Sequence, residues 1–255
     1  MNKIREMIKN GQKAIGTFYD LGGQTAAEAL GVAGLDYIII DTEHGSFDLD
    51  EAKIAICAAE RRGTSPFVRV KDGTRPSILK MLDAGAKGII IPCVKTIDEV
   101  KKIVEYGKYF PVGNRGFAGT ASGEFGFSEH AKTMDGYFNY MNSSTLLIPQ
   151  CETKECLEDL ENIAAVEGVD GIFVGPYDLS IALGIPGQMT NPIMVDAMKH
   201  IVKVCKDKGK LAFIYSGNAE DSKMKFGWGY DAVAVSMDVV FLINVYKELI
   251  KNIRG

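Results

Sequence analysis

Eight short β-branched runs alternating with longer helical patterns predict an α/β chain folded as a single-domain (β/α)8 TIM barrel. Three observations carry this. Runs such as "YIII" (Tyr37–Ile40) and "GIII" (Gly88–Ile91) are apolar without a break, which implies cover on both faces, as in a parallel sheet. The alternation spans the whole chain with no composition break to mark a second domain, so residues 1–255 are read as one unit. A length of 255 residues is also what such a barrel takes.

Strands are expected at Ala14–Tyr19, Tyr37–Thr42, Phe67–Val70, Gly88–Val94, Thr145–Cys151, Gly171–Val174, Leu211–Tyr215 and Ala232–Val235. The segments between them carry helix start signals. "TIDE" at Thr96–Glu99 is a capping box, and "DLDE" at Asp48–Glu51 has the same layout. Gly34, Gly63, Gly85, Gly168 and Gly209 sit where helices should end in a left-handed cap. "LSIALGIPGQMTNP" after the sixth strand reads as a short helix and turn before a longer helix from Ile193 to Lys208. Pro111–Phe127 carries five glycines and no apolar periodicity, which predicts a long, substrate-facing loop before the fifth strand.

Composition excludes several classes. A hydrophobic share of 46% with 24% charged residues suits a globular protein with a full core. The net charge of -4 gives no reason to expect nucleic acid or an anionic membrane. Apolar runs such as Val239–Val245, interrupted at Asn244, are too short to span a bilayer. The N-terminal "MNKIREMIKNGQK" is polar and helical, with no apolar h-region. The five cysteines are scattered and lack zinc spacing, so reduced thiols in a cytoplasmic protein are expected.

Barrel enzymes place their chemistry at the C-terminal ends of the strands. Here the second strand ends in Asp41, Glu43 and His44, the third in Arg69, the fifth in Gln150 and Glu152, and the sixth leads to Asp178. The opposite ends show no comparable cluster. Gln150 and Glu152 are two apart and point the same way. Glu152 and Asp178 come from neighbouring strands, and two carboxylates with the other positions left to water and ligand suit Mg2+ or Mn2+ rather than zinc. The same two acids would serve equally as helix N-caps or as partners of a barrel lysine. His44 stands beside Asp41 and Glu43, either of which would fix its tautomer, and Arg69 among several acids reads as an oxyanion clamp. His200 and His130 are not assigned a role.

"DTEHG", "FVRV", "MLDAGAKGIIIPCV", "GNRG", "PQCET" and "GIFVGPYDLSIALG" together resemble the HpcH/HpaI aldolases, the metal-dependent class II pyruvate aldolases, in the family's order from about Gly16 to Asp238. The resemblance implies a (β/α)8 barrel assembled as a hexamer, a trimer of dimers that exchange the last helix, here residues 239–253. It implies reversible cleavage of a 4-hydroxy-2-oxo acid to pyruvate and an aldehyde. By this likeness Glu152 and Asp178 ligate a divalent cation, Mg2+ or Mn2+ with Co2+ as a further option. Arg69 contacts the keto oxygen, and Gln150 lines the pyruvate site. His44 is the base, supported by Asp41 and Asp83, and backbone N–H groups after Gly175-Pro176 meet the pyruvate carboxylate.

Departures from the family pattern shape the expected substrate. Tyr177 replaces a usual alanine and narrows the pocket or the acceptor channel. Residues Ala121–Asn142 contain no arginine and one lysine, Lys132, which predicts an aldehyde without a long acidic tail, a small hydroxyaldehyde rather than succinic semialdehyde. Lys71, flanked by Asp72, is not placed for a Schiff base. Competing readings are a non-catalytic binder of metal and 2-keto acid, a citramalyl- or malyl-CoA-type lyase, and a phosphate-handling isomerase. The last would need a glycine-rich grip after the final two strands, where "YSGNAED" and "VSMDVV" offer one glycine and added acids.

Overall fold

The computed structural model describes residues 2–255. Eight strands, β1 (Ala14–Tyr19), β2 (Tyr37–Asp41), β3 (Ser65–Arg69), β4 (Gly88–Ile91), β5 (Leu146–Cys151), β6 (Gly171–Val174), β7 (Leu211–Ser216) and β8 (Ala232–Met237), close in chain order into one parallel barrel. Helices alternate with them, so the expected (β/α)8 architecture is what forms. No helix among the described residues is long and apolar enough to cross a membrane.

Strand parity builds two cores. Tyr37 and Ile39, Phe67, Ile90, Leu146 and Ile148, Phe173 and Phe213 face the barrel axis and form one buried cluster. Their neighbours Ile38 and Ile40, Val68, Ile89, Leu147, Ile172 and Ile214 face outward and pack under the helices. The inner cluster is filled by rings, with the centroids of Tyr37 and Phe67 5.1 Å apart and Phe213 edge-on to Tyr37 at 6.2 Å. Glycine makes room for them. A Cβ on Gly16 would stand 2.5 Å from the Tyr37 ring, and one on Gly88 would stand 2.7 Å from Phe67.

The N-terminal end of the barrel is closed by the helix Lys3–Lys9, whose Ile4 is fully buried in the inner cluster. Asn2 caps that helix, accepting from the Ile4 N–H at 3.1 Å, while its side-chain amide donates to the carbonyls of Lys87 and Ser144 at 2.9 and 3.0 Å. The helix Ile97–Gly107 starts at the predicted capping box, with Glu99 N–H donating to Thr96 Oγ1 at 3.3 Å and Thr96 N–H to Glu99 Oε2 at 3.2 Å.

Two expectations change. The fourth strand stops at Ile91 rather than Val94, because Pro92 has no N–H for the ladder and Cys93 turns to a φ of 55°. The segment before β5 is partly ordered, with 3-10 turns at Ala121–Gly126 and Glu129–Lys132 and a helix Met134–Ser144 capped by Thr133. Its residues 119–125 lie over the helices Leu49–Arg61 and Arg75–Ala84, away from the mouth of the barrel in this chain.

The last helix, Asp238–Arg254, leaves the barrel at its N-terminal turn. From Phe241 onward its residues are exposed, including Phe241, Leu242, Val245, Tyr246, Leu249 and Ile253.

Candidate active site

The inward-facing parity of each strand carries on past the inner core to the open C-terminal end. Two residues beyond Phe18, Ile39, Phe67, Ile148, Phe173 and Phe213 stand Asp20, Asp41, Arg69, Gln150, Gly175 and Tyr215. All of them line one cavity of about 300 Å3, together with His44, Pro176, Tyr177, Asp178 and Met237. Six strand ends therefore converge on one chamber. No lysine lines it, in keeping with the absence of a Schiff-base candidate.

Arg69 is the cation of the chamber. Strand register sets Asp41 directly beside it. The guanidinium grips that carboxylate in bidentate fashion, Nε to Oδ1 at 2.9 Å and Nη2 to Oδ2 at 2.5 Å, and Nε lies 3.3 Å from Glu43 Oε2. The Phe18 ring lies 4.8 Å from its central carbon. Burial works against the charge on Arg69, but the hydrogen bond and field of Asp41, with Glu43 and Glu152, outweigh it and raise its pKa. Nη1 has no hydrogen-bond partner among the described residues, which leaves one donor edge for a ligand.

Glu152 is buried and is not among the residues lining that cavity; the turn after β4 receives it. The left-handed Cys93 sends its N–H to Glu152 Oε1 at 2.7 Å, and Gln150 Nε2 donates to Oε2. Burial pushes the Glu152 carboxyl up, those two hydrogen bonds pull it back, and the charge of Asp178 raises it again. Glu43 is also raised, chiefly by burial, with Arg69 opposing and Glu152 adding.

The arrangement fits a hard cation. Gln150 Oε1 is buried with no partner, and a Cβ on Gly175 would come within 2.6 Å of Glu152 Oε2, so glycine keeps space open beside that carboxylate. Among the described residues no group of three or more His, Cys, Asp and Glu side chains converges on one point. Two carboxylates completed by water and ligand oxygens are the pattern of Mg2+ and Mn2+ sites rather than of zinc.

Other site residues predicted from sequence are placed differently from one another. The side chain of His44 is 71% exposed at the rim, with Nε2 3.9 Å from Glu43 Oε2. Asp41 does not hold the imidazole, because both its oxygens are engaged by Arg69; beyond that pair, its Oδ1 accepts the backbone N–H groups of Glu43 and His44, at 3.1 and 3.3 Å. Asp83 is not brought to His44 within one chain. It sits near the end of the helix Arg75–Ala84, pairs with Arg115 Nη2 at 2.8 Å, and lines a separate hollow beside Gly119 and Phe125. Tyr177 stands on the rim, 54% exposed and edge-on to Tyr215 at 5.7 Å.

Sequence reading passed over Asp20. The available signal was an acid two residues beyond the last inward residue of the first strand. Its backbone N–H donates to Asp238 Oδ1 at 2.9 Å, and its Oδ2 is buried without a partner. Burial, then the charges of Asp41 and Asp238, push its carboxyl from 3.8 to about 6. Between those values the folded chain keeps a proton that the unfolded chain has released, so stability falls as pH rises through that window and the loss is complete above it. Asp20→Asn removes this penalty. The metal-free variant should melt above the wild type near pH ~8, with the gap closed by pH ~4. Thermal melts at the two pH values check this, and equal melting at the higher one refutes it.

Comparison with known proteins supplies the last observation. A sequence model described as HpcH/HpaI aldolase/citrate lyase matches residues 14–245. The chain is 32% identical over 249 residues to a hydroxypyruvate/pyruvate aldolase of Roseobacter denitrificans, covering 98% of this chain and 96% of the other. It is 28% identical to a 2-keto-3-deoxy-L-rhamnonate aldolase of Escherichia coli, covering 94% and 88%. A crystal structure of an HpcH/HpaI aldolase/citrate lyase family protein from Burkholderia cenocepacia superposes with a TM-score of 0.92 at 29% identity, each chain covered in full (100% and 100%).

Proposed function

The chain belongs to the HpcH/HpaI aldolase/citrate lyase family, and from that membership we propose that it is a class II pyruvate aldolase, which cleaves a 4-hydroxy-2-oxo acid reversibly into pyruvate and a short hydroxyaldehyde. The observation that carries this reading is a single arginine, fixed by a buried carboxylate, lining one cavity with Gln150 and Asp178, while the charge of the buried Glu152 acts on that arginine and is itself acted on by Asp178. The relatives named as a hydroxypyruvate/pyruvate aldolase and a 2-keto-3-deoxy-L-rhamnonate aldolase support the same reaction type.

In this reading Glu152 and Asp178 hold Mg2+ or Mn2+, with Co2+ a further candidate, and Gln150 lines the keto-acid site. When bound, the cation polarises the 2-keto group as a Lewis acid. Arg69 offers its free Nη1 edge to the keto oxygen, where negative charge builds as the carbon–carbon bond breaks. A preorganised donor of this kind lowers the barrier by about 3 kcal/mol. Asp41 fixes the guanidinium plane so that no reorientation is needed at that moment. His44 takes the proton from the C4 hydroxyl; the C3–C4 bond then breaks, its electron pair moves toward the keto oxygen, the aldehyde leaves, and a proton returned to C3 gives pyruvate and restores the neutral base. Glu43 Oε2 lies 3.9 Å from the imidazole Nε2.

The test uses the first half of the reverse reaction. Pyruvate incubated in D2O with the protein and Mn2+ or Mg2+ should exchange its methyl protons, followed by proton NMR, and chelation should stop the exchange. A rate that ignores both protein and metal overturns the reading.

A second copy of the chain is the partner proposed for the last helix. Phe241, Leu242, Val245, Tyr246, Leu249 and Ile253 are 44–75% exposed in one chain, and a contiguous apolar patch of this kind is the mark of a protein interface. Exchange of this helix within a hexamer should give a large species in sedimentation. A monomer throughout the concentration range would refute it.

A further inference from the structure

We infer that Asp20 recognises a hydroxyl group on the aldehyde, so that the pocket takes hydroxyaldehydes in preference to their deoxy counterparts. This rests on the aldolase reading above and adds to it a residue that sets the substrate class.

Position comes first. In a closed barrel of eight strands, β1 stands opposite β5. Gln150 and Glu152 extend from β5 and Asp178 follows β6, so a keto acid held there has its reacting end toward the centre of the mouth. An aldehyde joined to it then extends toward β1, where Asp20 lines the same cavity. The walls differ in character. Asp20, Asp41 and Arg69 come from the β1–β3 arc above a single ring, Phe18, whereas Phe173, Tyr177 and Tyr215 come from the β6–β7 arc, where Asp178 is the one charged residue. A short chain with hydroxyls on one edge and C–H groups on the other matches both.

Asp20 is held firmly and is short of partners. Its N–H and that of Leu21 both donate to the buried Asp238, at 2.9 and 3.2–3.3 Å. Neither of its carboxyl oxygens accepts a hydrogen bond from a described residue, and Oδ2 is buried. Arg69, the one cation lining the chamber, is engaged by Asp41 and Glu43 through Nε and Nη2, and its remaining Nη1 edge is the one assigned above to the keto oxygen. What Asp20 lacks is a neutral donor. A hydroxyl supplies it, while a carboxylate tail would face Asp20 and Asp41 with no free cation. The pKa of about 6 leaves Asp20 ionised at neutral pH, when that donor is most needed.

The experiment compares glycolaldehyde with acetaldehyde, and glyceraldehyde with propanal, as partners for pyruvate in the presence of Mn2+. In each pair the ratio of kcat/KM with hydroxyl to that without is measured for the wild type, Asp20→Asn and Asp20→Leu. Comparing ratios between variants cancels the intrinsic reactivity of each aldehyde and any general damage to the site. The Leu variant should lower the ratio roughly ten- to hundredfold, the worth of a hydrogen bond to a charged group, and the Asn variant should fall between. Should Asp20→Leu fail to fold, Asp20→Asn alone still tests the claim, with a smaller drop. A ratio unchanged within about twofold in the variants overturns the role of Asp20. Failure of the aldolase reading looks different: the wild type would then show no metal-dependent exchange of the pyruvate methyl protons.

Discussion

Glu152→Gln is expected to lower kcat/KM for aldol cleavage about a thousandfold, roughly 4 kcal/mol of barrier, the several kcal/mol that Lewis-acid assistance supplies. The substitution preserves size in a buried position, its oxygen can keep the Cys93 N–H, and a flipped Gln150 amide can accept from its NH2 group, so the fold should stand. It removes one of the two negative charges proposed to attract the cation. Thermal melting separates this from general damage. Added Mn2+ should raise the wild-type midpoint, as any ligand of the folded state does, and leave the variant where it was. Without metal the variant should be the more stable of the two, because burial and Asp178 oppose ionisation of the native carboxyl. A variant that keeps both its activity and its metal-induced shift would remove Glu152 from the metal site.

Arg69→Met should cost more in stability than any other single change at the mouth. Asp41 is 2% exposed and Arg69 9%. Removing one partner of such a buried pair leaves an uncompensated charge, which costs about 3–5 kcal/mol. Activity should fall at least a hundredfold for a separate reason, the loss of the donor to the keto oxygen. The double variant Asp41→Asn/Arg69→Met tells the two apart. It should recover most of the stability, measured by chemical denaturation, and none of the activity. Recovered activity would show that Arg69 holds the fold and does not touch the reaction. Lysine is not expected to rescue, since one ammonium cannot match the two-point grip on Asp41.

How legible this site was depended on which physical rule governed each residue. Strand existence and order follow from apolar runs and their spacing, and those runs sit where the strands form. Parity, once the strands are placed, is enough to send Asp41, Arg69 and Gln150 inward, and applied to the first strand it would also have found Asp20. Sequence neighbours misled in one case. Asp41 and His44 are close in the chain, yet strand register makes Asp41 the partner of Arg69. Asp83 came from a motif, and a motif carries no information about which way a helix end faces; Arg115 takes it. The early end of β4 lay in Pro92 and in the left-handed Cys93, a conformation a non-glycine residue rarely adopts. The helix Met134–Ser144 was hidden by Gly136 and by the polar run Asn142–Ser144.

Closure of the barrel floor has a consequence for traffic. The ring-filled interior and the capped N-terminal end leave the chamber a single doorway. Whatever docks deepest must step in first and depart last. Both partners of the proposed reaction therefore share one way in and one way out, a constraint imposed by architecture before any chemistry begins.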